Sequence, residues 1–461
     1  MPFNRRISRP ASHLQASGPT RSSSRLWAPD ARGTLLPSFL VALLFTVMVV
    51  PQGLEYTSSD SPMPLSSDLW SRSIWLVLLF GGFFLVARHG TRSLLLFRTL
   101  NPFLLVFLAL ATVSVIWSIE PSVTLRRVSR IVTILLVCMG FTVVGWHAKR
   151  FQNVTRTLLT GLLIGSVIFI YAYPEIAIHH NVGHPELMDA WHGLTTGKNI
   201  FGSLAGTTVL LWFHAWLSKN AKFFPALFGS ALAITCLVMS NSSTSLMSTI
   251  FAVVFMLILL RSPGSMRKVM PYLVALFAAL ILIYALAILH LVPGLDVILE
   301  PIVMFTGKDL TFTGRTDIWF VLNQHIHLRP WLGTGYGAYW VGPLPTSPSY
   351  EMLTRLFFYP TEGHNGYLDV VNDLGLVGGL CLLGYFASYV RSALRLMNSD
   401  RYQGGLYLTL LFRGFIADMS ESHWFSVLSV DFVVMTLATT ALCRSLYQSR
   451  LDCLSAEATR Q

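Results

Sequence analysis

The chain has 461 residues, of which 53% are hydrophobic and only 12% charged, and its net charge is +11 at pH 7. A soluble globular protein carries about twice that charged fraction. Long apolar runs recur from end to end, so the composition excludes a soluble domain and predicts an all-α integral membrane protein. The positive balance implies no nucleic-acid partner, because basic residues collect in the cytoplasmic loops of membrane proteins.

Residues 1–34 are rich in Ser, Arg and Pro, lack apolar periodicity, and read as a disordered cytoplasmic tail. The apolar run that starts at Leu35 has a long preceding region and no small-residue cleavage site after it, so it is expected to be a helix and not a cleaved signal. About 12 transmembrane helices are predicted, near 35–51, 73–88, 102–118, 130–147, 157–174, 200–217, 224–240, 245–261, 270–292, 374–390, 404–420 and 424–444. Residues 35–292 thus hold the first nine helices, 293–373 form one large periplasmic loop, 374–446 hold the last three, and 447–461 form a cytoplasmic tail. The five cysteines, Cys138, Cys236, Cys381, Cys443 and Cys453, avoid the large loop and show neither a disulfide framework nor a metal-ligand spacing.

Charge alternation supports this topology. With both termini inside, Asp30, Asp400, Asp452 and Glu457 are the only acids on the cytoplasmic side. Of the 33 Lys and Arg, only Arg72, Arg126, Arg127, Arg130, Lys198, Lys308, Arg315, Arg329, Arg355 and Arg413 fall elsewhere. These run against the positive-inside pattern, and an anionic ligand is one reason for some of them to be there. The large loop is too long to be a mere connector. Its predicted parts are an interfacial amphipathic helix over Gly294–Phe305, a short helix over Thr316–Leu328, a turn at Pro330 and the following glycines, and a short helix over Tyr350–Phe358.

Several residues in this frame are candidates for chemistry. His364-Asn365 stands where the loop returns to the membrane. An imidazole there is either a base working near neutral pH or an interfacial residue that caps a helix. Arg315 offers paired donors to phosphate oxygens, or else pairs with Asp317. Arg126, Arg127 and Arg130 follow Trp117-Ser118-Ile119-Glu120-Pro121; they contact an anionic group or snorkel to lipid phosphates. Lys198-Asn199 opens the sixth span, where an anion and not a cation gains from the helix dipole. Arg413 lies inside the eleventh span and must face protein or water, with Asp418 and Glu421 as ion-pair candidates. Gly333-Thr334-Gly335-Tyr336-Gly337 follows no strand and is not a nucleotide loop. His179, His180, His184 and His192 read as a polar loop and not as a metal site.

Gly314-Arg315-x-x-x-Trp319, Pro330-Trp331-Leu332-Gly333-x-Gly335 and His364-Asn365-x9-Gly375-x-x-Gly378 together resemble the O-antigen ligase and Wzy polymerase superfamily, most closely its ExoQ-like exopolysaccharide polymerization branch. Further matches are the Trp117–Pro121 stretch with its arginines, Gly197-Lys198-Asn199-x-x-Gly202, and Ser240-x-Ser242-x-Thr244. The resemblance implies a GT-C-like, metal-independent glycosyltransferase of the bacterial inner membrane that needs no cofactor. Its donor would be an undecaprenyl-diphosphate-linked oligosaccharide, used at the periplasmic face, with other polysaccharide export and chain-length proteins as partners. On this chain Arg315 would hold the diphosphate and His364 would be the base. Ser243 departs from the family pattern, which often has a basic residue there. Arg126, Arg127, Lys198 and Arg413 are candidate replacements, and Asn365 is a further substrate contact. A ligase acting on lipid A core shares these motifs. A flippase for lipid-linked sugars would instead place its charges along a midplane cavity.

Overall fold

The structure, a computed structural model, describes residues 34–51, 69–180, 188–261, 315–427 and 429–460, with side chains as far as residue 449. The expected tail before residue 34, the ninth span at 270–292, the interfacial helix Gly294–Phe305, Lys308 and the opening of the large loop lie outside these residues. Among the described residues the fold is all-helical, its one extended pairing being a bridge between Ile178 and Trp191. The helices are α1 (Leu35–Val49), α2 (Leu69–Arg88), α3 (Gly90–Thr99), α4 (Pro102–Val113), α5 (Pro121–Val143), α6 (Arg150–Ala172), α7 (Lys198–Leu217), α8 (Phe223–Met239) and α9 (Ser243–Arg261). After the undescribed stretch come α10 (Arg315–Leu328), α11 (Tyr350–Leu356), α12 (Gly366–Ser399), α13 (Arg401–Ala417) and α14 (Val430–Arg460).

Six of these, α2, α6, α7, α9, α12 and α14, are long and apolar enough to cross a membrane. The pair α3 and α4, with the turn that follows it, is bent by 98° at its break and is either a broken seventh span or a re-entrant loop, and α1 and α8 are shorter apolar helices. The interior is organised around α7 and α14, whose apolar windows are 78% and 83% buried, against 28% for α2 and α6. The latter two turn most of their apolar surface outward, as helices that meet lipid do.

Each expected span that falls on described residues overlaps a helix, though only six or seven of these helices are long and apolar enough to cross a membrane, and several ends move for local reasons. The loop expected between the second and third spans contains α3. Pro102 disfavours helix at the residue before it, and Asn101 instead caps α4, accepting from Phe103 N at 3.1 Å. The fourth helix starts at Pro121, a residue suited to the first helical position, so Arg126, Arg127 and Arg130 lie within its first turns. The tenth starts at Gly366 and not at 374, because the Asn365 side chain caps it by accepting from Tyr367 N and Leu368 N, each at 3.1 Å.

Helix ends sort into two sets by their contacts. At one end, Lys149 bonds Asn220, Arg150 reaches Ser38, His214 meets Tyr402 O and Arg401 donates to Leu259 O. At the other, Ser245 meets Asn199 O, Thr244 meets Ser420, and Ile119 N donates to Thr334 O. The two sets lie at opposite ends of α7 and α9, which contribute to both.

The second set is built on a break in α12. Gly375 has φ +64° and ψ −165°, a region open essentially to glycine alone. The break parts Leu376 N from Asn372 O and Val377 N from Asp373 O, partners in an unbroken helix. The loop after Pro330 takes up all four groups. Leu376 N donates to Pro330 O at 2.8 Å and Val377 N to Trp331 O at 3.3 Å, while Thr334 N and Gly335 N donate to Asn372 O and Asp373 O, each at 2.9 Å. Gly333, Gly335 and Gly337 all have positive φ, and a Cβ on Gly333 would meet the Asp373 carbonyl at 2.6 Å. The stretch before α5 grips the same loop. Tyr336 N donates to Ser114 Oγ at 3.0 Å and Trp117 Nε1 to Leu332 O at 3.0 Å. Above it α10 and α11 close over a small core of their own, with Trp319, Leu322, Tyr339, Trp340 and Met352 buried against Leu368 of α12.

Gly375→Ala is expected to destabilise the protein strongly. The backbone strain alone is about 1–3 kcal/mol, and the added Cβ would meet the Trp331 carbonyl. Gly161→Ala, where a Cβ meets nothing within 4 Å, is the control. Thermal unfolding of the detergent-solubilised variants, followed by size-exclusion chromatography, checks this: Gly375→Ala should fall well below the parent and Gly161→Ala should not.

Candidate active site

His364, Arg315 and Glu421 meet at the end of the bundle set by the α12 break. His364 sits just outside the α12 cap with φ +48°, an uncommon conformation for a residue with a side chain. It is held there from both sides. Gly363 O accepts from Trp319 Nε1 at 2.9 Å, and Gly363 N donates to Asp369 Oδ2 at 3.0 Å. Asn365 N donates to Ser422 Oγ at 3.1 Å, and Ser422 in turn donates to Asp369 Oδ2 at 2.5 Å. Gly366 N is shared by the carbonyls of Asp418 and Glu421, at 3.0 and 2.9 Å. The loop between α13 and α14 therefore fixes the backbone that carries the imidazole.

Glu421 on that loop joins the charged groups. Its Oε1 accepts from Arg315 Nη2 at 2.9 Å and from Asn199 Nδ2 at 2.7 Å, and its Oε2 lies 3.6 Å from His364 Nδ1. Arg315 also donates from Nη1 to Ser420 O. Glu362 approaches the same imidazole nitrogen, with Oε1 at 3.4 Å from Nδ1. Exposure separates the two acids: the Glu421 side chain is 6% exposed and that of Glu362 34%. Burial is the largest influence on His364 and disfavours its charged form, and Arg315 opposes charging too. The Glu421 and Glu362 carboxylates overcome both, so the imidazole pKa is raised above its usual value. Glu421 is moved the other way: burial works to raise it, but His364 and Arg315 hold it below the usual carboxylate range.

The expected residues fall into two groups. Arg315 and His364 are brought together. The partner of Arg315 is Glu421 and not Asp317, because the guanidinium turns toward the α13–α14 loop while Asp317 faces a recess lined by Phe320, Arg355 and Phe357. Asn365 spends its side-chain oxygen on the α12 cap, and its Nδ2 points to Met419 O at 3.5 Å. Arg413 is buried and pairs with Asp431 at 3.0 Å, in place of Asp418 or Glu421, and bonds Ser203 Oγ at 2.7 Å. Arg127 donates to Trp340 O at 2.7 Å and packs against Gly337. Arg126 is exposed on α5. Lys198 opens α7 near His179, and Asn199 beside it reaches Glu421. Thr244 Oγ1 lies 2.8 Å from Ser420 Oγ, so the segment carrying Ser243 does abut the Arg315 loop.

Sequence reasoning missed Glu362, Glu421, Asp369 and Ser422 as members of this group. Their type and spacing carry no signal, because the charge alternation expects nearly all the acids on that side. Glu362, His364 and Glu421 offer ligand atoms within 4.8 Å of one another, but the Arg315 guanidinium already sits on Glu421, and these residues are not read as metal ligands. The rings of His179 and His192 meet at a tilt of 50° with centroids 4.6 Å apart, and His192 Nδ1 lies 2.8 Å from Thr195 O, as in a structured polar loop.

Two comparisons with known proteins bear on this arrangement. Residues 228–383 match the family model Wzy_C, described as O-antigen ligase; this stretch takes in Arg315, Glu362, His364 and the α12 break and stops short of Glu421. The chain is also 26% identical over 310 residues to "Exopolysaccharide production protein ExoQ" of Rhizobium meliloti (strain 1021). That match covers 64% of this chain and 66% of the relative, a little under two thirds of its length.

Replacing Glu421 by Gln removes a negative charge beside His364, so the imidazole is expected to lose its proton at lower pH than in the parent. An NMR titration of the labelled ring carbons measures this directly; an unchanged His364 midpoint would mean that Glu421 does not act on the ring.

Proposed function

From the similarity of this chain to the O-antigen ligase family model and to the ExoQ protein, we propose that it is a polysaccharide polymerase of the bacterial inner membrane. Its donor is a glycan on undecaprenyl diphosphate, its acceptor a sugar hydroxyl of a further lipid-linked unit, and its chemistry takes place at the periplasmic face. One observation carries the proposal: Arg315 and His364, far apart in sequence, meet on one buried carboxylate at a shared end of the bundle. A glycosyl transfer from a diphosphate needs that pair of functions in one place.

The acceptor oxygen attacks the anomeric carbon as the bond from that carbon to the diphosphate oxygen breaks. The electron pair leaves with the diphosphate, and fixed positive charge is most useful there. Arg315 retains donors for it, since Glu421 and Ser420 engage only one N–H from each of two guanidinium nitrogens. His364 takes the acceptor proton on Nε2, the nitrogen turned away from the two carboxylates. In this proposal the guanidinium supplies the charge neutralisation that a divalent cation provides in other phosphate chemistry, and no metal is invoked. The gathering of these groups at one end favours an enzyme over a flippase, whose charges belong along a midplane path. The name of the ExoQ relative, an exopolysaccharide production protein, favours polymer production over transfer to lipid A core.

His364→Ala is expected to lose about 10²–10⁴-fold in chain growth while still binding donor; growth near the parental rate would remove His364 from the base role. Arg315→Lys is the informative change at the other site. Arg315→Ala would leave Glu421 buried without its partner, a change that costs about 3–5 kcal/mol, whereas Lys keeps the charge and loses the paired donors. Its product yield should fall sharply at normal protein level. In a deletion strain, single repeat units should accumulate on the lipid carrier. Long chains on the carrier would indicate a ligase, and donor trapped inside a flippase. A reporter fused near Ser347 should be active only where exported proteins are active, and the opposite result would invert the topology.

A further inference from the structure

One acid in this site has no role in the reaction as written above. Glu362 lies two residues before His364, and its Oε1 is 3.4 Å from the ring nitrogen Nδ1. Among the described residues His364 is its one ion-pair partner. Its position is set by the same contacts that strain His364: the next residue, Gly363, is pinned through its carbonyl by Trp319 and through its amide by Asp369. Glu421, the other acid facing Nδ1, is committed elsewhere, with Oε1 accepting from both Arg315 and Asn199.

Charge balance decides between them. When His364 takes a proton from the acceptor it becomes a cation beside a second cation, Arg315, and Glu421 is the buried carboxylate between them. Glu421 is divided between Arg315 and the ring, and a partly buried cation is costly unless it is paired. Glu362 is the second carboxylate in direct reach of Nδ1.

We propose that Glu362 is a positioning residue for the base. Together with Glu421 it holds the Nδ1 proton of His364, so that Nε2 is the atom offered to the acceptor hydroxyl, and it balances the imidazolium that forms as that hydroxyl attacks. The inference rests on the glycosyl-transfer reading. The proton moves from the acceptor oxygen to Nε2, the new carbon–oxygen bond replaces the bond to the diphosphate, and the imidazolium gives its proton to water after the product leaves. The ionisable groups that face Glu362 are His364, Glu421, Asp369 of α12 and Arg315 of α10. Burial raises the carboxyl pKa of Glu362, Glu421 and Asp369 add to the rise, and His364 and Arg315 oppose it; the net direction is upward.

The test is the pH dependence of chain growth by purified full-length protein on a lipid-linked repeat unit. Glu362→Gln keeps the shape and removes the charge. Losing a carboxylate lowers the imidazole pKa, so the acidic limb of kcat should move to lower pH. The weaker base should lower the plateau by about tenfold or more, with the donor KM unchanged. Glu362→Asp, which keeps the charge, should restore most of the plateau. A Glu362→Gln profile that overlays the parent while His364→Ala is inactive overturns the inference and leaves the glycosyl-transfer reading standing. A raised donor KM with an unmoved acidic limb also overturns it, by placing Glu362 at the diphosphate. Full activity in His364→Ala removes the reading on which both rest.

Discussion

Four backbone hydrogen bonds at Gly375 hold the upper half of the molecule in place. A helix that gives up its own bonds within the membrane region must find others, because an unpaired peptide group there costs several kcal/mol. Here the replacement comes from the loop after Pro330, whose amides and carbonyls enter the gap in α12. The exchange ties the backbone of the loop to α12 on both sides of the break. Asp373, just before the break, accepts from Gly337 N at 2.7 Å, and Asp369, one turn earlier, accepts from Trp340 Nε1 at 2.9 Å. The short upper segment of α12 is therefore clamped to the α10–α11 cap, and His364 stands at the tip of that segment.

A strained histidine persists only where its surroundings over-determine it. Its neighbours on both sides are bonded to three separate parts of the chain, namely α10, α12 and the α13–α14 loop. The same loop supplies Glu421. The position of the imidazole and the charge that acts on it thus have one source, and the geometry of the site is set before any substrate arrives. A second buried pair, Arg413 with Asp431, ties α13 to α14, and His423 approaches Asp431 at 3.4 Å, so the loop is anchored beneath as well as above. Arg413 belongs to this framework.

Periodicity and charge alternation made the helices legible, the rarity of Arg outside the cytoplasmic loops made Arg315 legible, and the place of His364-Asn365 where the large loop returns to the membrane made His364 legible. The glycines were visible but their use was not. Gly375 and Gly378 suggest close helix packing, whereas what approaches Gly375 is a loop backbone entering a broken helix. The difference lies in a φ of +64°, which no spacing rule carries. Glu362 and Glu421 were hidden for another reason. Acids outside the membrane are the expected background of an alternating topology, so nothing in their type or spacing set them apart. Their meaning depends on contacts between residues nearly 60 positions apart. Arg315 illustrates the same limit. Local spacing offers Asp317, and the fold brings in Glu421.

The break in α12 also governs which pieces of such a chain can be exchanged as units. The loop after Pro330 and the helix around Gly375 each carry half of one hydrogen-bonded structure, with 38 positions between Thr334 and Asn372. A chimera that imported the loop without the broken helix would confront it with a straight rod whose bonds are already made. Importing the broken helix alone would leave amides and carbonyls open at the membrane boundary. For recombination, natural or engineered, the smallest interchangeable block runs from α10 through α12, and a crossover placed inside it would fail even where both parents fold.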